Sequence, residues 1–218
     1  MLKHNKILVF DFETNGLDPI NSQVIEVGAI LLEKEKQEYK ISSEINLLVK
    51  TDEPLPEIIK NLTNITDEML IKDGVSEYQA FETLMNLIDD QTLLIAYNAA
   101  FDLSFLIYMH KKFNDINFKL KNDILDVMAV YKDRYPYPHK LDNAVETYNV
   151  QVKNTHRALD DVLATFGVLC AMNNEKANLE TYVNVLGFNP KFGFRGPFLK
   201  HVKAIGQKGG LLEIEKNT

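Results

Sequence analysis

The chain has 218 residues, 45% of them hydrophobic and 25% charged, so it can bury a core as one large domain or as one domain with an appendage. No apolar run approaches the roughly 20 residues needed to span a bilayer. Asp11 cuts the first apolar run too short for a signal peptide, and the single cysteine, Cys170, excludes a disulfide framework and a cysteine-based zinc site. The net charge of −7 argues against general adhesion to nucleic acid. That charge is unevenly placed: residues 187–218 carry six Lys/Arg and two Glu, a local +4 that leaves −11 on residues 1–186. Cys170 sits in the apolar helical pattern Val168-Leu169-Cys170-Ala171-Met172, which predicts a buried structural thiol and fits a reducing, cytoplasmic compartment.

In chain order, Ile7–Phe10 is an apolar strand that runs into Asp11-Phe12-Glu13 and stops at Asn15-Gly16, a turn signal. Gln23–Glu33 and Tyr39–Val49 read as two further strands, giving a meander with turns near 15–21 and 34–38. Pro54 and Pro56 break the pattern. Thr66 is placed to cap a short helix, and Ser76 a longer one carrying Phe81, Leu84, Met85 and Ile88. Leu93–Tyr97 is a short buried strand, followed at once by a helix whose predicted buried stripe is Phe101, Phe105 and Tyr108. A short strand and the start of a helix are predicted within Asp123–Tyr131. Helices are expected over Leu141–Tyr148, Ala158–Met172 and Leu179–Leu186. Strands first, then strands alternating with helices, predict an α/β fold with a mixed sheet flanked by helices.

Three groups of residues carry chemistry. Val9, Asp11 and Glu13 share one face of the first strand, because side chains alternate sides. Two acids at the end of a buried strand repel one another unless a cation lies between them, and hard oxygen ligands suit magnesium or manganese. The alternative is that the acids simply turn outward where the strand meets water. Asn98 falls at the cap of the helix after the Leu93–Tyr97 strand, and Asp102 one turn in, leaning back toward the strand's C-terminal end. Open α/β sheets hold ligands at that end; the alternative is that Asp102 only complements the helix dipole. His156 and Asp161 lie about 140° apart if both are helical. They converge only if His156 is in the preceding loop and Asp161 on the helix, with Asn154 or Thr155 near its start. Asp160 then reads as first-turn dipole complementation, and imidazole, which exchanges protons near neutral pH, suits a general base.

Together Asp11/Glu13, Asn98…Phe101-Asp102 and His156…Asp161 resemble the three motifs of the DEDDh (DnaQ-like) 3′–5′ exonuclease family, in its order and with similar separations. Leu62–Leu70 (LTNITDEML) and Lys140-Leu141-Asp142 extend the likeness to roughly residues 5–175, and the bacterial DNA polymerase III epsilon-like branch is the most similar. The resemblance implies a ribonuclease H-like five-stranded sheet and hydrolysis of the terminal phosphodiester with two divalent cations, Mg2+ or Mn2+. Carried over, Asp11, Glu13 and Asp161 would hold the ion that binds the attacking water. Asp11 would bridge to the second ion, supported by Asp102, and His156 would take the water's proton. Thr14, Leu17 and Asn98 would contact the terminal nucleotide, and Ile65 would pack on bases or else be a core residue of a short helix. Many members have His before the Asn of the second motif, where this chain has Tyr97.

The expected substrate is a single-stranded or frayed 3′ end, DNA rather than RNA, released as nucleoside 5′-monophosphates. A catalytically silent binding module is the rival from another class. Residues 1–186 are expected to form the exonuclease domain and 187–218 a basic C-terminal arm, which contacts nucleic acid, docks a polymerase or another replication or repair protein, or is a solvated tail. With no polymerase domain in the sequence, a stand-alone enzyme is expected over a bound subunit. Tyr131–Lys140 interleaves aromatics with cations, as a single-strand contact would, or is a connector whose tyrosines cover the core.

Overall fold

The computed structural model describes residues 2–152 and 156–217. The elements run β1 (Lys6–Thr14), β2 (Val24–Glu35), β3 (Glu38–Leu48), α1 (Glu57–Thr63), α2 (Asp67–Asp73), α3 (Glu77–Met85), β4 (Leu93–Ala96), α4 (Ala99–Phe113), β5 (Ile124–Asp126), α5 (Val127–Arg134), α6 (Leu141–Thr147), α7 (Ala158–Glu175), a 3-10 turn (Leu179–Tyr182), β6 (Val185–Phe188) and β7 (Lys203–Gly206).

Five strands form a mixed sheet in the order β3-β2-β1-β4-β5, antiparallel across β3-β2-β1 and parallel from β1 through β4 to β5. The central strand feeds two cores, one from each face. Leu8, Phe10 and Phe12 pack with residues of α3 and α4. Ile7 and Val9 pack with residues of α5, α6 and α7. This is the period-2 alternation of a strand covered on both sides. Asp11 and Glu13 continue the Ile7/Val9 series and therefore emerge on the α7 side. The last pair between β1 and β4 is Val9↔Ile95, so β1 from Phe10 to Thr14 runs past its parallel neighbour. An open flank is thus left beside the acids.

The predicted caps are present: the Thr66 side chain accepts from the Met69 N–H, and Ser76 forms a capping box with Gln79. Three expectations are corrected. Leu179–Leu186 is not one helix, because Asn184 takes a left-handed conformation (φ 61°) and is hydrogen-bonded to the open edge of β5 through its backbone N–H and its side-chain oxygen. The chain beyond it pairs as β6 with β7. On α4, Leu103, Phe105, Leu106 and Met109 are buried while Phe101 and Tyr108 are half-buried, so the inward face is turned from the predicted stripe. Cys170 is exposed, because Val168, Leu169 and Met172 form the buried side of α7. Asn154 and Thr155, one of them expected near the start of α7, lie outside the described residues; the cap position is Arg157.

Residues 187–217 lie against the body. Leu199 joins the α3/α4 core and Ile214 the α5/α7 core. The buried Asp133 carboxylate accepts the Ile214 and Glu215 N–H groups (2.8 and 3.1 Å) and the Tyr182 hydroxyl (3.1 Å). Gln207 donates to the Ala129 carbonyl. Lys191, Arg195, Lys200, Lys203 and Lys208 remain exposed on the surface of this segment.

Candidate active site at the end of the central strand

The β1/β2 register sets the site. Asp11 lies opposite Gly28 and Glu13 opposite Glu26. Directly opposed residues point to the same face, so these four positions make one patch beneath the start of α7. At Gly28 a Cβ would come within 2.3 Å of the Ala158 carbonyl carbon. Only glycine allows the helix to lie this close to the strand. That close approach brings Asp161, in the first turn of α7 and 7% exposed, over the β1 acids.

Glu13, His156 and Asp161 each offer a ligand atom within 4.8 Å of the other two. The predicted division holds, with Asp161 on the helix and His156 before it. His156 is exposed and in a left-handed conformation (φ 54°). Asp102 reaches the same place from the opposite layer. It is 2% exposed, and its Oδ1 accepts the Phe12 N–H (3.1 Å), a donor on β1 beyond the reach of β4.

The electrostatics are those of a carboxylate cluster short of positive charge. Glu13 is pushed from 4.5 up to about 9, chiefly by burial and then by Asp11, Asp161 and Glu26, with Arg157 opposing. Burial also raises Asp11, helped by Asp161 and Glu26. Asp102 is raised by burial and by Asp11, against the Phe12 hydrogen bond. Carboxyl groups in this state either hold protons or share a cation. The donor set, hard oxygens with one imidazole at the mouth, fits a divalent ion of the magnesium or manganese kind.

Around the acids, the Thr14 hydroxyl donates to the Gly16 carbonyl (2.6 Å) and Asn15 is hydrogen-bonded to Gln23, which closes the turn that presents Leu17, 86% exposed. Asn98 is exposed at the start of α4 with φ 67°, and its side chain makes no capping bond. Instead the Asp126 carboxylate accepts the Asn98 and Ala99 N–H groups (3.1 and 3.3 Å). Burial raises Asp126 to about 6. The Tyr97 hydroxyl donates to the His139 and Lys140 carbonyls, which ties the 135–140 loop beside Asn98.

Ile65 is corrected: it is fully buried against Ile25, Leu55 and Leu70 and has no surface to offer a base. In the Tyr131–Lys140 stretch, Tyr131 is buried. Arg134 donates to the Met172 carbonyl and to Glu175, and Tyr135 to Glu175, so these side chains are committed inward while Tyr137 stays 85% exposed.

Sequence reasoning missed Glu26, Gly28, Arg157 and Asp126. Two signals were there to read: a lone acid and a glycine inside the otherwise apolar strand VIEVGAILL. A buried polar residue and a strand glycine both mark a close approach by another element.

Similarity to known proteins agrees with the geometry. The family described as Exonuclease (RNase_T) matches residues 8–169. The DNA polymerase III PolC-type of Lacticaseibacillus paracasei is 29% identical over 190 residues, 85% of this chain and 12% of that one. The PolC-type polymerase of Bacillus subtilis is 29% identical over 179 residues, 81% of this chain and again 12% of the relative. The chain therefore spans about an eighth of the length of these relatives. Among solved structures, a zinc-bound complex of E. coli exonuclease I with single-stranded DNA superposes with a TM-score of 0.71 at 17% identity, over 83% of this chain and 43% of that one. This likeness shows the fold, a ribonuclease H-like sheet flanked by helices. With three quarters of its length matched and the acids of that match gathered on one strand end, the chain belongs to the exonuclease family.

Proposed function

We propose that the chain is a metal-dependent 3′–5′ exonuclease that hydrolyses the terminal phosphodiester of single-stranded or frayed DNA and releases nucleoside 5′-monophosphates. The observation that carries the reading is the convergence of Glu13, His156 and Asp161 at the end of β1, with Asp102 bonded to the same strand end. Asp11, Glu13, Asp102 and Asp161 would hold two Mg2+ or Mn2+ ions. Such a pair activates a water and stabilises the attacking and leaving oxygens of an in-line displacement. His156 stands exposed at the mouth, where it takes the proton of the attacking water and passes it to solvent. The left-handed backbone at Asn98 presents its amide to the terminal nucleotide. The Thr14–Gly16 turn offers backbone groups to the 3′ hydroxyl, and Leu17 offers an apolar surface to the last base.

The PolC-type relatives are DNA polymerases and the E. coli neighbour is bound to single-stranded DNA. Both support DNA as the polymer and a place in replication or repair in the cytoplasm, beside a polymerase or alone. No described helix is long and apolar enough to cross a membrane. The exposed cations Lys191, Arg195, Lys200, Lys203 and Lys208 would neutralise phosphates, which makes binding salt-sensitive. Reversing Lys200 and Lys203 to Glu should reduce that sensitivity without unfolding the segment, whose anchors are elsewhere.

The deciding experiment is a time course on matched 5′-labelled single-stranded DNA and RNA, with Mn2+ and with excess chelator. A metal-dependent ladder shortening from the 3′ end is expected, faster on DNA. Faster loss of RNA would move the substrate to RNA. No cleavage by folded protein with metal present would leave a binding module of the same fold.

A further inference from the structure

We propose that the ion pair between the fully buried Glu26 and the half-buried Arg157 is a positioning clamp that holds the His156–Asp161 segment at its working distance from the β1 acids, and so governs metal affinity and turnover without touching substrate. The part concerning turnover rests on the nuclease reading above; the part concerning metal affinity does not.

Glu26 is fully buried between Ile25 and Val27, both also fully buried, in a strand that needs no charge for its packing. Among the described residues, the hydrogen bonds to its carboxylate come from the Arg157-Ala158 dipeptide. Arg157 Nε donates to Oε1 and Oε2 (3.0 and 3.1 Å), Arg157 Nη2 donates to Oε1, and the Ala158 N–H donates to Oε2 (2.9 Å). Arg157 is the cap residue of α7 and supplies no side-chain cap of its own. A strand carboxylate therefore caps the helix, with the anion placed at the helix N-terminus, where the dipole favours it.

Three consequences follow from that placement. Glu26 is the cross-strand partner of Glu13, so the clamp grips the sheet beside a candidate ligand. Gly28, on the same face of β2, lets the Ala158 backbone lie directly on the strand, so a tether of this length fixes the height of α7 and of Asp161 above Asp11. His156, the residue before the clamped dipeptide, holds a left-handed conformation that is strained in a residue with a Cβ, and such strain persists only where the surroundings over-determine it.

Stability alone is a poor reason for the pair, since replacing a buried ion pair with apolar residues of similar volume is often neutral or stabilising. That separates positioning from structural support. The protein to compare with wild type is the double variant Glu26→Leu/Arg157→Met, with Arg157→Lys as the second. Arg157→Lys keeps the charge but loses the two-pronged geometry. Mn2+ affinity is read from the electron paramagnetic resonance signal of free Mn2+, and turnover from single-stranded DNA.

The double variant should stay folded and melt a few degrees below wild type, because the Ala158 N–H loses its acceptor. It should bind Mn2+ roughly 10–100-fold more weakly and lose turnover by a similar factor, with oligonucleotide KM changed by less than about threefold. Arg157→Lys should fall between the two proteins, and it carries the test if the double variant does not fold. Mn2+ affinity within about twofold of wild type in a folded variant would overturn the clamp. Wild type that binds Mn2+ and leaves 3′ ends intact, with affinity still lost in the variants, would overturn the nuclease reading and leave the clamp standing.

Discussion

Two regions of this molecule bury carboxylates, and they do so in opposite ways. Asp133, fully buried on α5, meets the N–H groups of Ile214 and Glu215 and the hydroxyl of Tyr182. Its charge is matched by donors and serves to fasten the C-terminal segment. At the end of β1, Asp11, Glu13 and Asp102 face one another and Asp161, and burial and mutual repulsion raise all three. Buried polar groups are normally satisfied, because an unsatisfied one costs about 1–3 kcal/mol and a charged one more. In a protein that matches Asp133 with donors elsewhere, this group of raised carboxyls is the candidate site for a metal ion.

The comparison breaks most sharply at Asp11. Asp11→Ala should abolish cleavage, a loss on the order of a thousandfold or more, because several kcal/mol of metal-derived transition-state stabilisation go with it. Its melting temperature without metal should be unchanged or higher, since like charges are relieved. A variant that fails to fold would make Asp11 a structural acid like Asp133. His156→Ala comes next, with kcat lower by about 10²–10⁴ and oligonucleotide affinity nearly unchanged. Parallel losses in both would remove it from the role of base.

Asp133→Ala should show the reverse signature. Orphaning the Ile214 and Glu215 N–H groups costs about 1–3 kcal/mol per group, while the Tyr182 hydroxyl keeps Glu215 as acceptor. Denaturant melts should therefore move strongly while kcat of the folded fraction holds.

The smallest effect is the pH dependence. Glu13 is raised to about 9 in the folded chain from 4.5, so between those values the folded state keeps a proton that the unfolded state has lost. Stability from this group is fully present below about 4.5 and declines as pH rises toward about 9. Melts of metal-free wild type against Glu13→Gln should show the wild-type advantage shrinking over that range, and Mn2+ should flatten the trend. A flat difference without metal would mean that the site is solvated.

Much of the site was legible before folding, and the physical reason differs for each residue. Asp11 and Glu13 are readable because strand alternation is a local rule, so Val9, Asp11 and Glu13 must share a face wherever the strand lies. His156 could be assigned to the loop because it lies about 140° from Asp161 if both are helical, so the pair converges only when His156 precedes the helix. Thr66 and Ser76 announced their helices because a cap acts over three residues. Ile65 misled, because an apolar residue beside a turn reads the same whether it faces solvent or Leu70.

From β1 through α7, apart from α1, the sequence alone determined the order of strands and helices, and with it the acid-bearing strand end and its family, because each depends on residues close together in the chain or on an ordered set of short motifs. Only the tertiary structure decided which face of α4 turns inward, that Asn184 ends a helix in favour of pairing with β5, that residues 187–217 fasten to Asp133, and that Glu26 grips Arg157. Those outcomes depend on which donors and surfaces distant elements leave open, such as the flank of β1 beyond Val9 where Asp102 binds. No local pattern carries that information, because the partner that satisfies a buried group can lie anywhere in the chain.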